Sequence, residues 1–170
     1  GAGGTCTDPI PAGTNCTVVV VFEPTTFGPR STDLEITYNN GAGLQLFEKT
    51  LTGTGLSPGL LSINEANPFN FGRVTTNVTT EQTFIISNTG DAPVSSMVAS
   101  ALGSDFAYKG SGYPGLPGGD CNVSLAAGTS CSIVVKFEPL TSGGQTTTFN
   151  MTYNNGLVGG NTLSKVFVGL

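Results

Sequence analysis

The stretch that decides the fold is Ala127-Gly-Thr-Ser-Cys131-Ser-Ile-Val-Val-Lys-Phe137-Glu-Pro139. Its β-branched run is typical of a strand, and the strand should end at Pro139 because proline has no backbone N–H for a sheet ladder. The same pattern occurs 115 positions earlier, at residues 12–24. Residues 3–41 align with residues 118–156 without a gap and share 20 identities in 39 positions. The chain therefore contains an internal repeat.

The repeat predicts the domain organisation. After one inserted residue it continues from Lys49-Thr-Leu-Thr-Gly53 to Lys165-Val-Phe-Val-Gly169, whereas residues 58–115 have no counterpart upstream. We expect residues 1–57 to be the C-terminal part of a first module and residues 58–170 to be a complete module. Three interpretations follow: an excerpt of a longer tandem array, a half-module completed by another subunit, or a small appendage. The chain contains the C-terminal half of a module twice and the N-terminal half once. This imbalance favours the excerpt over head-to-tail exchange between subunits.

Strand signals dominate the chain. In the repeated parts we predict strands at residues 17–22 and 132–137, and alternating strands that bury Leu34, Ile36 and Tyr38 in the first copy and Phe149, Met151 and Tyr153 in the second. Asn-Asn-Gly turns follow, leading to strands at 44–53 and 163–169. Further strands are expected at 60–63, 70–73, 80–87 and 93–101, with a turn at 88–91. Many short strands separated by turns, without a helical period, predict an all-β antiparallel sandwich.

Composition excludes several classes of function. The chain has no His and 10% charged residues, so catalysis by a Ser-His-Asp or Cys-His arrangement within this chain is excluded. The net charge is −5, which argues against nucleic acid as a partner. No run of 18 apolar residues occurs, so we expect no membrane insertion in this segment. Ser and Thr together number 38 and Gly numbers 25, which indicates a surface hydrated by hydroxyls and amides.

Two sets of residues carry a family resemblance. One is Phe69-Asn-Phe-Gly72-Arg-Val74 with Thr83-Phe-Ile-Ile-Ser-Asn88-Thr-Gly-Asp-Ala-Pro-Val94; the other is Cys121, Leu125 and residues 127–139, with Leu51-Thr-Gly-Thr-Gly55 closing the earlier module. They resemble the immunoglobulin-like ASH (abnormal-spindle/hydin-like) or choice-of-anchor D repeats, of the bacterial surface-protein type. The resemblance implies tandem Ig-like sandwich modules, the first incomplete, that act as scaffolds or binding units and not as enzymes.

The repeat also predicts how the four cysteines pair. Cys6 and Cys16 recur at the same spacing as Cys121 and Cys131, so each pair most simply forms a disulfide within its own module. A four-thiolate metal site would need paired C-x-x-C spacing, which does not occur. Disulfides are typical of an oxidising compartment. We therefore expect an extracellular or cell-surface location, on a bacterial envelope.

One loop is the candidate for recognition. Residues 109–119 are Gly-rich but lack the Gly-Lys-Ser/Thr end of a phosphate loop. With Phe106, Tyr108, Lys109 and Tyr113 nearby, this loop could contact a protein or glycan, because tyrosine offers an apolar face and a hydroxyl. The alternative is a solvated connector packed against the neighbouring module. Glu23 and Glu138 occupy one repeated position before proline and are expected to serve the strand end or a module interface.

The sequence thus predicts a non-catalytic extracellular segment of a large surface protein, acting as a stalk or adhesion module. No cofactor and no metal are expected. The expected partners are neighbouring modules of the same chain, a protein or glycan on another cell, and a second copy in a homo-oligomer. One alternative is a fibre subunit completed by strands from a neighbouring chain. The other is a carbohydrate-binding accessory module with an exposed aromatic platform.

Overall fold

The structure is a computed structural model and describes residues 3–170. It is built of strands, with one 3₁₀ turn at Lys109–Ser111. The strands are β1 Gly28–Asn39, β2 Leu44–Gly55, β3 Leu61–Ile63, β4 Phe69–Asn70, β5 Thr80–Asn88, β6 Ser95–Ala99, β7 Phe106–Tyr108, β8 Ser130–Phe137, β9 Gln145–Asn154 and β10 Asn161–Gly169. The chain divides into two compact units; the first ends at Leu56 and the second runs from Ser57 to Leu170. No helix in the described residues is long and apolar enough to cross a membrane.

The second unit is a sandwich of two four-stranded sheets. One sheet has the order β4-β10-β9-β6 and the other β3-β5-β8-β7. All pairings are antiparallel except β10 with β4. The predicted all-β Ig-like fold is confirmed.

Alternation along the strands places the core between the sheets. The inward positions are aromatic or aliphatic: Phe84, Ile86, Ile133, Val135, Phe137, Phe149, Met151 and Phe167 are all fully buried. Phe71 lies among these rings, with its centroid 5.7 Å from Phe137 and 6.1 Å from Phe167. Burying one such side chain contributes roughly 1.5–3 kcal/mol, so the aromatic cluster is a major source of stability.

A lysine is part of this interior. Lys165 on β10 is 1% exposed, and its Nζ donates to the backbone carbonyls of Asn64 and Glu65 at 2.6 and 2.8 Å. Burial lowers the pKa of this amine, while the nearby Glu65 carboxylate acts in the opposite direction. The two carbonyls keep the charged group hydrogen-bonded, which a buried cation requires.

Most predicted strands of the second unit are present. Those predicted at 60–63, 80–87, 132–137 and 163–169 correspond to β3, β5, β8 and β10, and the alternating prediction around Tyr153 corresponds to β9. The strand predicted at 70–73 is shorter and earlier, and the one at 93–101 is trimmed to β6. The sequence interpretation misses β7, because its three residues directly precede the Gly-rich stretch 109–119 and are grouped with that loop.

The first unit consists of a hairpin and an N-terminal loop. β1 pairs with β2 along their whole length. Leu34 faces Lys49 in this hairpin as Phe149 faces Lys165 between β9 and β10, so the two copies of the repeat share one register. In the loop, the Thr5 N–H donates to the Thr17 carbonyl at 2.9 Å.

Two sequence predictions for the first unit are wrong. Residues 17–22 do not form a strand. Their counterpart β8 has β5 and β7 as ladder partners, and the described part of the first unit supplies neither. The face of β1 predicted to be buried is also open: Ile36 and Tyr38 are exposed and Leu34 is half-buried. The alternation is present in the sequence, but the described residues of this unit supply no second sheet to cover it.

Candidate functional site

The predicted recognition residues lie on β7 and in the connection from β7 to β8. Phe106 and Tyr108 are buried. The Phe106 ring stacks on Phe137 at 4.7 Å between centroids, and the Tyr108 hydroxyl donates to the Ser100 carbonyl at 2.8 Å. This corrects the expectation of an exposed aromatic platform: the alternation of β7 turns both rings into the sandwich.

Tyr113 completes an aromatic pair at this position. Its ring is 5.6 Å from that of Tyr108 in an edge-to-face arrangement. Its hydroxyl is buried and has no hydrogen-bond partner among the described residues. Burial raises the pKa of Tyr113 to about 12. It also raises the pKa of Tyr108, with a further contribution from Tyr113. Both phenols are therefore neutral and act as packing groups.

The rest of the loop lies along the edge of β8. The Val134 N–H donates to the Pro114 carbonyl at 2.9 Å. Gly115 has φ +99° and lies against the Val134 backbone, where a Cβ would collide with the carbonyl oxygen. Only glycine combines this φ with such a close approach. The Gly-rich stretch therefore packs against β8 of its own module, and Gly115 is required by that contact.

Lys109 is the charged member of the predicted set. Its Nζ lies 2.7 Å from Glu81 Oε2, and both side chains are about one-third exposed. The pair joins the end of β7 to β5 across the sheet. A partly exposed pair of this kind contributes little to stability, typically below about 1 kcal/mol.

A hydrogen-bonded carboxylate and a disulfide fix the entry to β8. The structure contains the disulfides Cys6–Cys16 and Cys121–Cys131. Beside the second, Asp120 Oδ1 accepts from the Ser132 backbone N–H at 2.6 Å and from its hydroxyl at 2.8 Å. These hydrogen bonds lower the pKa of Asp120. Thr5 and Thr17 make the equivalent contacts in the first unit, with a hydroxyl in place of the carboxylate.

Glu138 serves the end of β8. Its Oε2 accepts from Thr79 Oγ1 at 3.0 Å and from Lys136 Nζ at 3.3 Å. The Thr79 hydrogen bond is the larger cause, and Lys136 the second, of a lowered pKa for this carboxyl. Glu138 is thus held as an anion that ties the strand end to the start of β5.

The sequence interpretation missed an open groove in the second unit. Its volume is about 350 Å³, and Arg73 is its charged residue, surrounded by hydroxyls and short apolar groups; the other lining residues are Val74, Thr75, Thr76, Thr141, Ser142, Gly143 and Leu170. The groove joins segments about 70 positions apart in sequence, so no local motif indicates it. Among the described residues, no group of three or more His, Cys, Asp or Glu side chains could hold a metal ion.

Sequence comparison identifies the family. The model of the HYDIN/CFA65/VesB-like Ig-like domain matches residues 61–166, which is most of the second unit. The chain belongs to this Ig-like family. Domains of this family are typically non-catalytic. No curated protein matches the chain in sequence.

One solved structure supports the fold, and two more are similar at lower scores. VesB protease from Vibrio cholerae is 18% identical with a TM-score of 0.51, and the match covers 64% of this chain and 31% of that protein. The ASH/PapD-like domain 7 of human CEP192 is 16% identical with a TM-score of 0.44, covering 64% and 82%. A protein of unknown function from Porphyromonas gingivalis W83 is 12% identical with a TM-score of 0.47, covering 89% and 69%. The chain thus matches less than one third of the length of VesB protease.

Proposed function

We propose that this chain is a non-catalytic, extracellular Ig-like segment of a bacterial surface protein of the choice-of-anchor D type, acting as a stalk or adhesion module. The observation that carries the proposal is the repeated disulfide-closed connection. In both units a disulfide and a cross-loop hydrogen bond fix the residues that lead into the same β-branched run. Disulfides persist in oxidising compartments, and small extracellular domains use them to supplement their cores.

The second unit has properties suited to a spacer. Its core is a continuous aromatic and aliphatic cluster between two sheets, and the Gly-rich loop is packed on β8. A rigid sandwich of this kind holds whatever follows it at a fixed distance. With 10% charged residues, the surface offers few groups for electrostatic recognition, so its role is mainly spatial.

A carbohydrate-binding role finds less support. Such a module needs exposed aromatic rings, and Phe106 and Tyr108 are buried. Phe106 and Tyr108 therefore stabilise the fold, and the expected partners are neighbouring modules of the same protein.

The test uses the native protein on its own cells. Peptide mapping under non-reducing conditions should recover Cys6 linked to Cys16 and Cys121 linked to Cys131. Protease added to intact cells should remove the protein, while a cytoplasmic marker stays intact. Free thiols at these four positions, or protection from protease until the cells are lysed, would contradict an extracellular role.

A further inference from the structure

Residues 17–22 are the most unusual segment of the molecule. Four consecutive valines and a phenylalanine are all exposed here. Val20 and Phe22 are 53% and 52% exposed, whereas their repeat counterparts Val135 and Phe137 are fully buried. In the described part of the chain, no backbone hydrogen bond joins residues 18–22 to another segment. These residues are uncharged and favour a strand, but in residues 3–170 they have no neighbouring strand.

The second unit shows what covers the same sequence. There β8 pairs antiparallel with β5, Phe84 opposite Ile133 and Ile86 opposite Cys131. On its other edge it pairs with β7, Phe106 opposite Phe137. The rings of Phe71 and Phe106 lie 5.7 and 4.7 Å from that of Phe137. Two flanking strands and a set of phenylalanine rings therefore bury Ile133, Val135 and Phe137, which match the exposed Val18, Val20 and Phe22 of the first unit.

The open run is nevertheless held in place. A Cβ on Gly53 of β2 would lie 2.7 Å from the Phe22 ring, so the ring rests directly on the glycine. Phe137 rests on Gly169 of β10 in the same way. The Cys6–Cys16 disulfide and the Thr5–Thr17 hydrogen bonds fix its N-terminal end. The contact between layers is thus present on one side, and among residues 3–170 neither edge of residues 18–22 has a backbone hydrogen bond.

We propose that residues 17–22 form an acceptor site for an added β-strand. The donor is a polypeptide segment with the chemistry of β5: an uncharged stretch with Phe and Ile two positions apart, which aligns antiparallel and, in the register of β5 on β8, places the Phe opposite Val18 and the Ile opposite Cys16. The backbone supplies hydrogen bonds and the alternating side chains supply specificity, as in β-strand addition generally. The pairing repeats, in the first unit, the one that the second unit contains between β5 and β8.

Charge and pattern both fit this donor. Residues 17–22 carry no charge, and residues 82–88 of β5 carry none either. Val21 stands where the second unit has Lys136, which is an outward position beside Glu81 of β5. The side chains on the inward face, Val18, Val20 and Phe22, match Ile133, Val135 and Phe137. Specificity for the donor therefore depends on the inward side chains of residues 17–22, and the outward side chain of Val21 does not contribute to it.

A second copy of the chain does not fit as donor. Each copy has one set of front strands, and β5 is already paired with both β3 and β8 in the second unit. A copy that donated β5 would expose Phe84 and Ile86 of its own core. The exchange would therefore uncover as much apolar surface as it covers, so the donor is a segment outside this chain.

The test measures peptide binding by the full chain. The probe is a fluorescent peptide with the sequence of Thr80–Asn88, nine residues long. It should bind saturably, and Val20→Lys should weaken binding at least about tenfold. The matched control is Val21→Lys, which introduces the residue found at the equivalent position of β8 and should leave binding unchanged. Both valines are exposed without the donor, so neither change buries a charge in the free chain.

A change in the peptide tests the same contact without altering the protein. Replacing the two inward residues of the probe, Phe84→Asn and Ile86→Asn, should abolish binding to the unmodified chain. Absence of saturable binding, or equal effects of Val20→Lys and Val21→Lys, would overturn the proposal. Self-association of the free chain that Val20→Lys abolishes would also overturn it, because the occupant would then be a second copy.

Discussion

Whether a buried hydroxyl has a hydrogen-bond partner decides whether it stabilises or destabilises the fold. Tyr108 and Tyr113 illustrate the difference, because their rings touch while their hydroxyls have different surroundings. The Tyr108 hydroxyl has a carbonyl partner, and the Tyr113 hydroxyl has none among the described residues. A satisfied hydrogen bond contributes roughly 0.5–1.5 kcal/mol, whereas an unpaired buried polar group costs roughly 1–3 kcal/mol.

We expect opposite effects from removing these two hydroxyls. Tyr108→Phe should lower the free energy of unfolding by about 1 kcal/mol, because the Ser100 carbonyl loses its donor. Tyr113→Phe should leave it unchanged or raise it, because the ring stays and the unpaired hydroxyl goes. Urea unfolding followed by circular dichroism measures both, and each variant is the control for the other. A larger loss for Tyr113→Phe than for Tyr108→Phe would contradict this account.

The same phenols predict a loss of stability at high pH. An unfolded tyrosine loses its proton near pH 10, while folded Tyr113 keeps it to about pH 12. Between these values the folded state binds more protons, so stability falls as the pH rises. Unfolding temperatures measured from pH 9 to pH 12 should decrease. The decrease should be shallower in Tyr113→Phe, and an identical slope in that variant would contradict the prediction.

Lys165 provides a contrast between a buried and a surface lysine. Lys165→Ala removes both hydrogen bonds to Asn64 and Glu65 and leaves a cavity beneath the Phe84 ring, which lies 5.7 Å from Nζ. We expect a loss of about 2–4 kcal/mol in the free energy of unfolding. The control, Lys136→Ala, affects a partly exposed ion pair and should cost less than about 1 kcal/mol. Similar losses in the two variants would show that Lys165 is not buried in solution.

At the scale of elements, the two copies of the repeat show which residues can make the same hydrogen bond before the β-branched run. Asp120 and Thr5 accept hydrogen bonds from equivalent backbone positions, Ser132 and Thr17. One acceptor titrates and the other does not. The hydrogen bond at the start of β8 therefore needs an oxygen acceptor. The charge of the Asp120 carboxylate adds a pH dependence that Thr5, the acceptor in the first unit, does not have.

Asp120→Thr should preserve this connection and reduce its sensitivity to acid. The pKa of Asp120 is lowered by its hydrogen bonds to Ser132, so the carboxylate stabilises the fold above its ordinary pKa of 3.8. That contribution is lost as the pH falls through the lowered value. Unfolding temperatures from pH 2 to pH 6 should decline less steeply in Asp120→Thr than in the unmodified chain. Asp120→Ala, which has no acceptor, should be less stable than Asp120→Thr at pH 6, and equal stability would contradict the role assigned here.

The elements also show where sequence interpretation succeeds. Strands β5, β8, β9 and β10 were predicted because alternation and terminal prolines or glycines are local properties. β7 was missed because three residues beside a Gly-rich loop carry too little pattern. The burial of Phe106 and Tyr108 follows from their pairing with β8, a contact between distant segments. The groove at Arg73 could not be predicted for the same reason.

At the scale of the whole molecule, the two copies of the repeated β-branched run lie in different environments. Residues 17–22 and β8 have nearly the same pattern, but within residues 3–170 it is β8 that has neighbouring strands on both edges. Strand formation in this chain is therefore decided by partners as much as by propensity, as is general for β structure. The first unit reproduces the hairpin register and the disulfide loop of the second, and its described residues form no second sheet to bury them.

Hydrogen exchange compares the two copies within a single molecule. Backbone amides of β8 lie in a ladder between β5 and β7, so they should exchange only when the second unit opens. Amides of residues 18–22 have no backbone partner in the described chain and should exchange at least about 100-fold faster. The hairpin β1–β2 is an internal control, because its amides are paired although its side chains are exposed. Adding the β5 peptide should slow exchange in residues 18–22 and leave β8 unchanged. Equal protection of the two runs in the free chain would mean that residues 17–22 are already paired in solution.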